Sequence, residues 1–116
     1  MSRFDRLPEF EKEFSKLSKR YPSLPEDLKK FERLIEANPT GVGKNFTIFY
    51  NTEVVVVIKA RLACKRLKDR SIRMIYAYHK DTVTFMYIEV YFKGDKENED
   101  RERIREYLKT IENLAK

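Results

Sequence analysis

Chemistry in this chain is concentrated in a short central stretch. Between residues 53 and 80 there are eight basic side chains, Lys59, Arg61, Lys65, Arg66, Lys68, Arg70, Arg73 and Lys80, against two acids, Glu53 and Asp69. The formal net charge is +6, and the other 88 residues carry 17 basic and 17 acidic groups. The whole positive excess therefore lies in one segment. A localised basic patch concentrates phosphate-bearing partners by long-range attraction. Arginine adds a planar, two-pronged fork that matches phosphate oxygens, and lysine adds a compact point charge. The plainer reading of the same residues is a solvated basic hairpin with no ligand.

Other chemistries have little to work with. One cysteine, Cys64, allows no intrachain disulfide and no cysteine-cluster metal site. One histidine, His79, leaves out the usual zinc constellations, so no metal and no cofactor is expected. Cys64 reads as a small apolar filler despite basic neighbours that favour a thiolate. His79 falls in a turn and is a poor candidate for catalysis. Gly41-Val42-Gly43 lacks the glycine, lysine and Ser/Thr of a phosphate loop. The longest apolar run, Val54–Ile58, is too short to span a membrane, and the first residues carry no signal-peptide pattern, so no membrane contact and a cytoplasmic location are expected.

The elements that must position these cations follow from periodicity. Phe10, Phe14, Leu17 and Tyr21 mark one face of a helix over residues 8–20, with Pro8 in its first turn and Tyr21-Pro22 ending it. Ser23 and Glu26 have capping-box spacing. They open a second helix striped by Leu24, Leu28, Phe31, Leu34 and Ile35 and stopped by Asn38-Pro39-Thr40-Gly41. Two helices so closely linked predict a helical hairpin. Four runs rich in Val, Ile, Tyr, Phe and Thr follow, at Phe46–Tyr50, Glu53–Leu62, Arg70–His79 and Thr82–Phe92. Their short links predict an antiparallel meander.

Alternation along the strands places Val55, Val57, Lys59 and Arg61 on one face and Val54, Val56, Ile58, Ala60 and Leu62 on the other. That strand is apolar on both sides at its start and cationic on one side at its end. Its first half must be covered twice and its second half must open to solvent. Arg73 shares a face with Ser71, Ile75 and Ala77, and Tyr87, Glu89, Tyr91 and Lys93 share another. Ile104, Tyr107, Leu108, Ile111 and Leu114 stripe a C-terminal helix. The expectation is an α+β domain spanning residues 1–116, with an N-terminal helical hairpin on an antiparallel sheet of about four strands and a C-terminal helix.

The order and spacing of several short pieces resemble the RelE/ParE superfamily of toxin–antitoxin modules, in particular its RelE/HigB-like branch. These pieces are Pro8-Glu9-Phe10-Glu11-Lys12-Glu13-Phe14, Lys19-Arg20-Tyr21-Pro22, Lys59-Ala60-Arg61, Arg73-Met74-Ile75-Tyr76 and Tyr91-Phe92-Lys93-Gly94-Asp95-Lys96-Glu97-Asn98. The resemblance implies a small curved sheet on two N-terminal helices. It also implies metal-independent cleavage of mRNA on the ribosome, and a cognate antitoxin that wraps the toxin. By the same resemblance Lys59, Arg61, Arg73, Tyr91 and Lys93 are candidate catalytic residues and Lys68 is matched to a loop lysine of the family; with Lys65, Arg66 and Arg70 of the basic stretch, Lys68 is a candidate RNA contact. The chain departs from the family in one loop, where Leu67-Lys68-Asp69-Arg70-Ser71-Ile72-Arg73 contains no glycine and must run differently.

Three other functions fit the residues. A ParE-like toxin poisons gyrase without catalysis. A binding module contacts RNA or ribosomes, with tyrosines such as Tyr76, Tyr78 and Tyr87 stacking on bases. A relative without the loop glycines is inactive. Arg73 also has a structural alternative, as the ion-pair partner of Glu89. The sequence leaves the oligomeric state open.

Overall fold

A computed structural model describes residues 2–67 and 69–115, with the side chains of residues 112–115 left aside. Along the chain come β1 (Arg3–Arg6), α1 (Pro8–Arg20), α2 (Leu24–Ala37), β2 (Phe46–Asn51), β3 (Val55–Leu62), β4 (Ile72–His79), β5 (Thr84–Phe92) and α3 (Arg101–Ala115). The strands form one sheet in the order β1-β5-β4-β3-β2. β2 to β5 are the predicted antiparallel meander. The expected count of about four strands becomes five. β1 adds to the outer edge of β5 in parallel, with Arg3 opposite Thr84 and Arg6 opposite Tyr87. Among the described residues no helix is long and apolar enough to cross a membrane.

The two sheet faces are covered unequally. α1 and α2 pack across one face, where Phe10, Phe14, Leu24, Leu28, Phe31 and Ile35 meet Val56, Ile58, Ala60, Met74, Tyr76 and Tyr87. Leu34, expected in the α2 stripe, is instead about half exposed. The capping box does not form either. Ser23 donates to the buried Asp27 carboxylate at 2.8 Å, and no side-chain cap closes the α2 N-terminus. A second, smaller core lies on the opposite face, where Ile104 of α3 buries Val55, Val57, Ile75, Ala77 and Ile88 with Tyr107, Leu108 and Ile111 packed around them. Leu114 lies outside the described side chains.

α3 reaches only half of its face. It covers the apolar first half of β3 and leaves the Lys59–Arg61 half uncovered, as the alternation along β3 requires. Buried charges set where it stops. The Glu89 carboxylate, fully buried on β5, accepts the Asp100 N–H at 2.8 Å and pairs with Lys96. Arg103 bonds both oxygens of Glu13 on α1 and the Ile88 carbonyl, at 2.9–3.0 Å. Charge-assisted bonds of this kind are roughly twice as strong as neutral ones. They tie the start of α3 to β5 and α1.

Two bulges re-aim side chains. Ile75 pairs with Glu89 while Tyr76 pairs with Tyr87, so Ile88 is an extra residue on β5. A bulge reverses the alternation beyond it. Tyr87 therefore points into the α1–α2 core, not to the side of Glu89 and Tyr91 where strict alternation places it. The second bulge lies between Ile48 and Tyr50 on β2 and makes Phe49 the extra residue there. Gly41, at φ +77°, sets the entry to β2, because a Cβ at this position would lie 2.1 Å from the Phe46 ring.

Candidate nucleic-acid interface

The uncovered half of the sheet is a cleft of about 400 Å³. Its floor is Lys59 and Arg61 of β3 with Arg73 of β4. Thr47 and Phe49 of β2 form one wall, and Lys93, Glu97, Glu99 and Arg101 form the other. An adjoining cleft of about 410 Å³ shares Asn45, Arg61, Arg73 and Lys93 and extends to Lys44 and Arg70. Four of the five residues singled out as candidate catalytic groups thus line one continuous groove. The fifth, Tyr91, lines neither cleft: it is paired across the strands with Arg73 and is only 6% exposed.

Arg61 and Arg73 are directly opposite each other on β3 and β4. Like charges in that position destabilise a sheet. Among the described residues neither guanidinium has a carboxylate partner, and the alternative Arg73–Glu89 pair does not form because Glu89 is held by Lys96. Arg73 is 7% exposed and donates to the Arg70 carbonyl. Burial, and then the Arg61 charge beside it, press its guanidinium below the ordinary arginine value. It stays cationic. Asp69 lines the adjoining cleft and attracts Arg73 without pairing with it, so the fold keeps two forked cations side by side in the cleft with no carboxylate paired to either among the described residues.

Lys59 has a different environment. Its ammonium lies 2.8 Å from Glu99, whose side chain is 3% exposed. Burial alone would lower the Lys59 pKa, but the hydrogen bond to Glu99 and the attraction of the nearby Tyr91 oxygen outweigh it and hold the ammonium above its ordinary value. Burial alone would raise Glu99, and the bonds from Lys59 and Arg101 hold it below the usual carboxylate range. A lysine in this setting is a fixed cation and not a base. Burial raises the Tyr91 phenol, only partly offset by Lys59, so the phenol keeps its proton at neutral pH. Its hydroxyl is buried and makes no hydrogen bond of good geometry among the described residues.

The predicted RNA contacts divide. Arg70 lines the adjoining cleft. Lys65 turns to the α2 side, where its backbone N–H reaches Asp27 at 3.1 Å. Arg66 is exposed in the β3–β4 turn and lines neither cleft. Lys68 lies outside the described residues. Tyr76 and Tyr87 are fully buried with their hydroxyls bonded to the Pro39 carbonyl and Glu32, so they cannot stack on bases. Cys64 is buried, and His79, expected in a turn, is the last residue of β4 and is bonded to Tyr107 in the middle of α3 at 2.6 Å.

Sequence reasoning missed Lys44, Asn45, Thr47 and Phe49 from the β2 side and Asn98, Glu99 and Arg101 from the segment before α3. The β2 bulge and the return of the chain after β5 bring them in. The charged run Glu97-Asn98-Glu99-Asp100-Arg101, directly after the last strand, was the available signal.

This architecture is the RelE-like α+β fold. The structure superposes on archaeal RelE from Pyrococcus horikoshii OT3, solved as a RelE–RelB complex, with a TM-score of 0.62. The match covers 80% of this chain and 96% of that one at 17% sequence identity. No family model and no curated protein matches the sequence.

Proposed function

We propose that this protein is the toxin of a toxin–antitoxin pair, a metal-independent endoribonuclease that cleaves mRNA on the ribosome. The observation that carries the reading is the Arg61–Arg73 pair, two forks side by side in a cleft and, among the described residues, without an ion-pair partner. The fold and the resemblance of the sequence support the toxin class. The RelB partner of the similar archaeal protein supports a cognate antitoxin, and an antitoxin with acidic side chains would complement the groove.

In this reading Arg61 and Arg73 hold the non-bridging oxygens of the scissile phosphate. The 2′-hydroxyl oxygen attacks the adjacent phosphorus and its proton passes to Glu97, the carboxylate of the cleft wall that is not held in an ion pair among the described residues. The bond to the 5′-oxygen breaks, and that oxygen takes a proton from Tyr91 or Lys93. The products are a 2′,3′-cyclic phosphate and a 5′-hydroxyl. Preorganised cations acting on developing phosphate charge supply the largest share of the rate, and a placed acid adds roughly 10²- to 10⁴-fold.

Adding the purified protein to a cell-free translation reaction and mapping mRNA ends by primer extension tests this. New ends with the wild type that fall at least about 100-fold with Arg73→Ala support it. A translating reaction with no new ends sinks it. One observation favours a second reading, binding to RNA or ribosomes without cleavage: Lys59 is locked to Glu99 and cannot serve as a base. That reading predicts salt-sensitive binding and intact mRNA.

A further inference from the structure

Arg101 is placed where helix stability gives no reason for it. It is the first residue of α3, at the positive end of the helix dipole, where cations are disfavoured. Its side chain is 70% exposed, so its ion pair with Glu99 adds little to stability. Yet the guanidinium is held in one position by two contacts. Its Nε donates to Glu99 Oε2 at 2.9 Å, and its carbon lies 5.1 Å from the centre of the Phe49 ring. Phe49 is the extra residue of the β2 bulge, half-buried against the α3 core, and is itself anchored. The same Glu99 carboxylate binds Lys59 through its other oxygen at 2.8 Å.

We infer that Arg101, stacked on Phe49 and held by Glu99, is a platform for one unpaired nucleobase of the RNA whose phosphate sits on Arg61 and Arg73. The inference rests on the RNA-cleaving reading of the same cleft. Guanidinium planes and aromatic rings stack on bases in single-stranded recognition. One side of the guanidinium is against Phe49, and its exposure leaves a side open to the cleft. Asn45, Thr47 and Asn98 line the same cleft and offer amide and hydroxyl groups to a base edge. Glu99 is then a positioning residue: one buried carboxylate fixes the cation Lys59 and the stacking plane Arg101 relative to each other. A base on this platform places the neighbouring backbone over the arginine pair.

The test is equilibrium binding of a short single-stranded RNA and of the same oligomer with abasic riboses, measured by fluorescence anisotropy. Arg101→Lys keeps the charge and removes the planar stack. Phe49→Leu keeps apolar bulk and removes the ring. Both are expected to weaken the base-bearing oligomer about tenfold, leave the abasic oligomer unchanged and keep the salt slope. Arg73→Ala is expected to weaken both oligomers. Equal losses on the two oligomers, or no loss with Arg101→Lys while Arg73→Ala weakens binding, would overturn the platform and leave the phosphate site standing. No effect of Arg73→Ala on either oligomer would overturn the underlying reading of the cleft as well.

Discussion

Arg61 and Arg73 set the terms at the level of single residues. Facing like charges oppose folding, so removing one relieves the sheet. Arg61→Gln is expected to leave stability unchanged or raise it by about 0.5 kcal/mol, read by urea denaturation, while mRNA cleavage falls steeply. A clear loss of stability would mean that the pair is structural. Tyr91 allows a second separation of roles. Among the described residues its hydroxyl is buried without a hydrogen-bond partner, so Tyr91→Phe removes a desolvated group and no bond seen there. Stability should hold or rise by about 1 kcal/mol. Cleavage should fall by roughly 10²-fold or more if the phenol is the acid, since it keeps its proton at neutral pH. Unchanged cleavage would pass that role to Lys93.

At the scale of elements, α3 decides what is open and what is covered. Ion pairs dock its first turn, and His79 and Tyr107 hold its middle. Burial depresses the His79 pKa, partly countered by Asp81, and pushes the Tyr107 phenol up to about 12. The folded protein therefore resists protonating His79, and the unfolded chain does not. This contribution to stability is complete above the unfolded imidazole value of about 6.5. It is lost as the pH falls from there through the depressed folded value. Thermal melts of the wild type between pH 8 and 5 should show this loss, and His79→Gln should flatten it. An identical pH profile in the variant would show that His79 is not the group responsible.

Legibility from sequence also divides by element. α1, α2 and the meander were legible because their apolar spacing is local and strong. The half-covered sheet was legible from β3 alone, where Val55 and Val57 give way to Lys59 and Arg61 on the same face. β1 was not, because Arg3-Phe4-Asp5-Arg6 is short and charged and its parallel pairing with β5 spans some eighty residues of chain. The bulge at Ile88 was invisible too, since it depends on how β5 fits β4 and not on any residue type, and it moved Tyr87 to the other face. The cations of the cleft were legible as charge excess. The Glu99 contact with Lys59, which removes that lysine as a base, depends on where the chain returns after β5.

For the whole molecule, the architecture separates support from chemistry. α1 and α2 fill one face, α3 fills half of the other, and the remaining half is a cationic groove whose repulsion the two cores must overcome. The RelE-like fold supplies that division, and the proposed function requires RNA phosphate to occupy the groove. The most direct measurement is the chemistry of the mRNA ends formed in a translating reaction. Attack by the 2′-hydroxyl predicts 5′-hydroxyl fragments and 2′,3′-cyclic phosphates, and no cut where that one nucleotide is replaced by its 2′-deoxy form. Ends carrying a 5′-phosphate, or cleavage that survives the 2′-deoxy replacement, would contradict it.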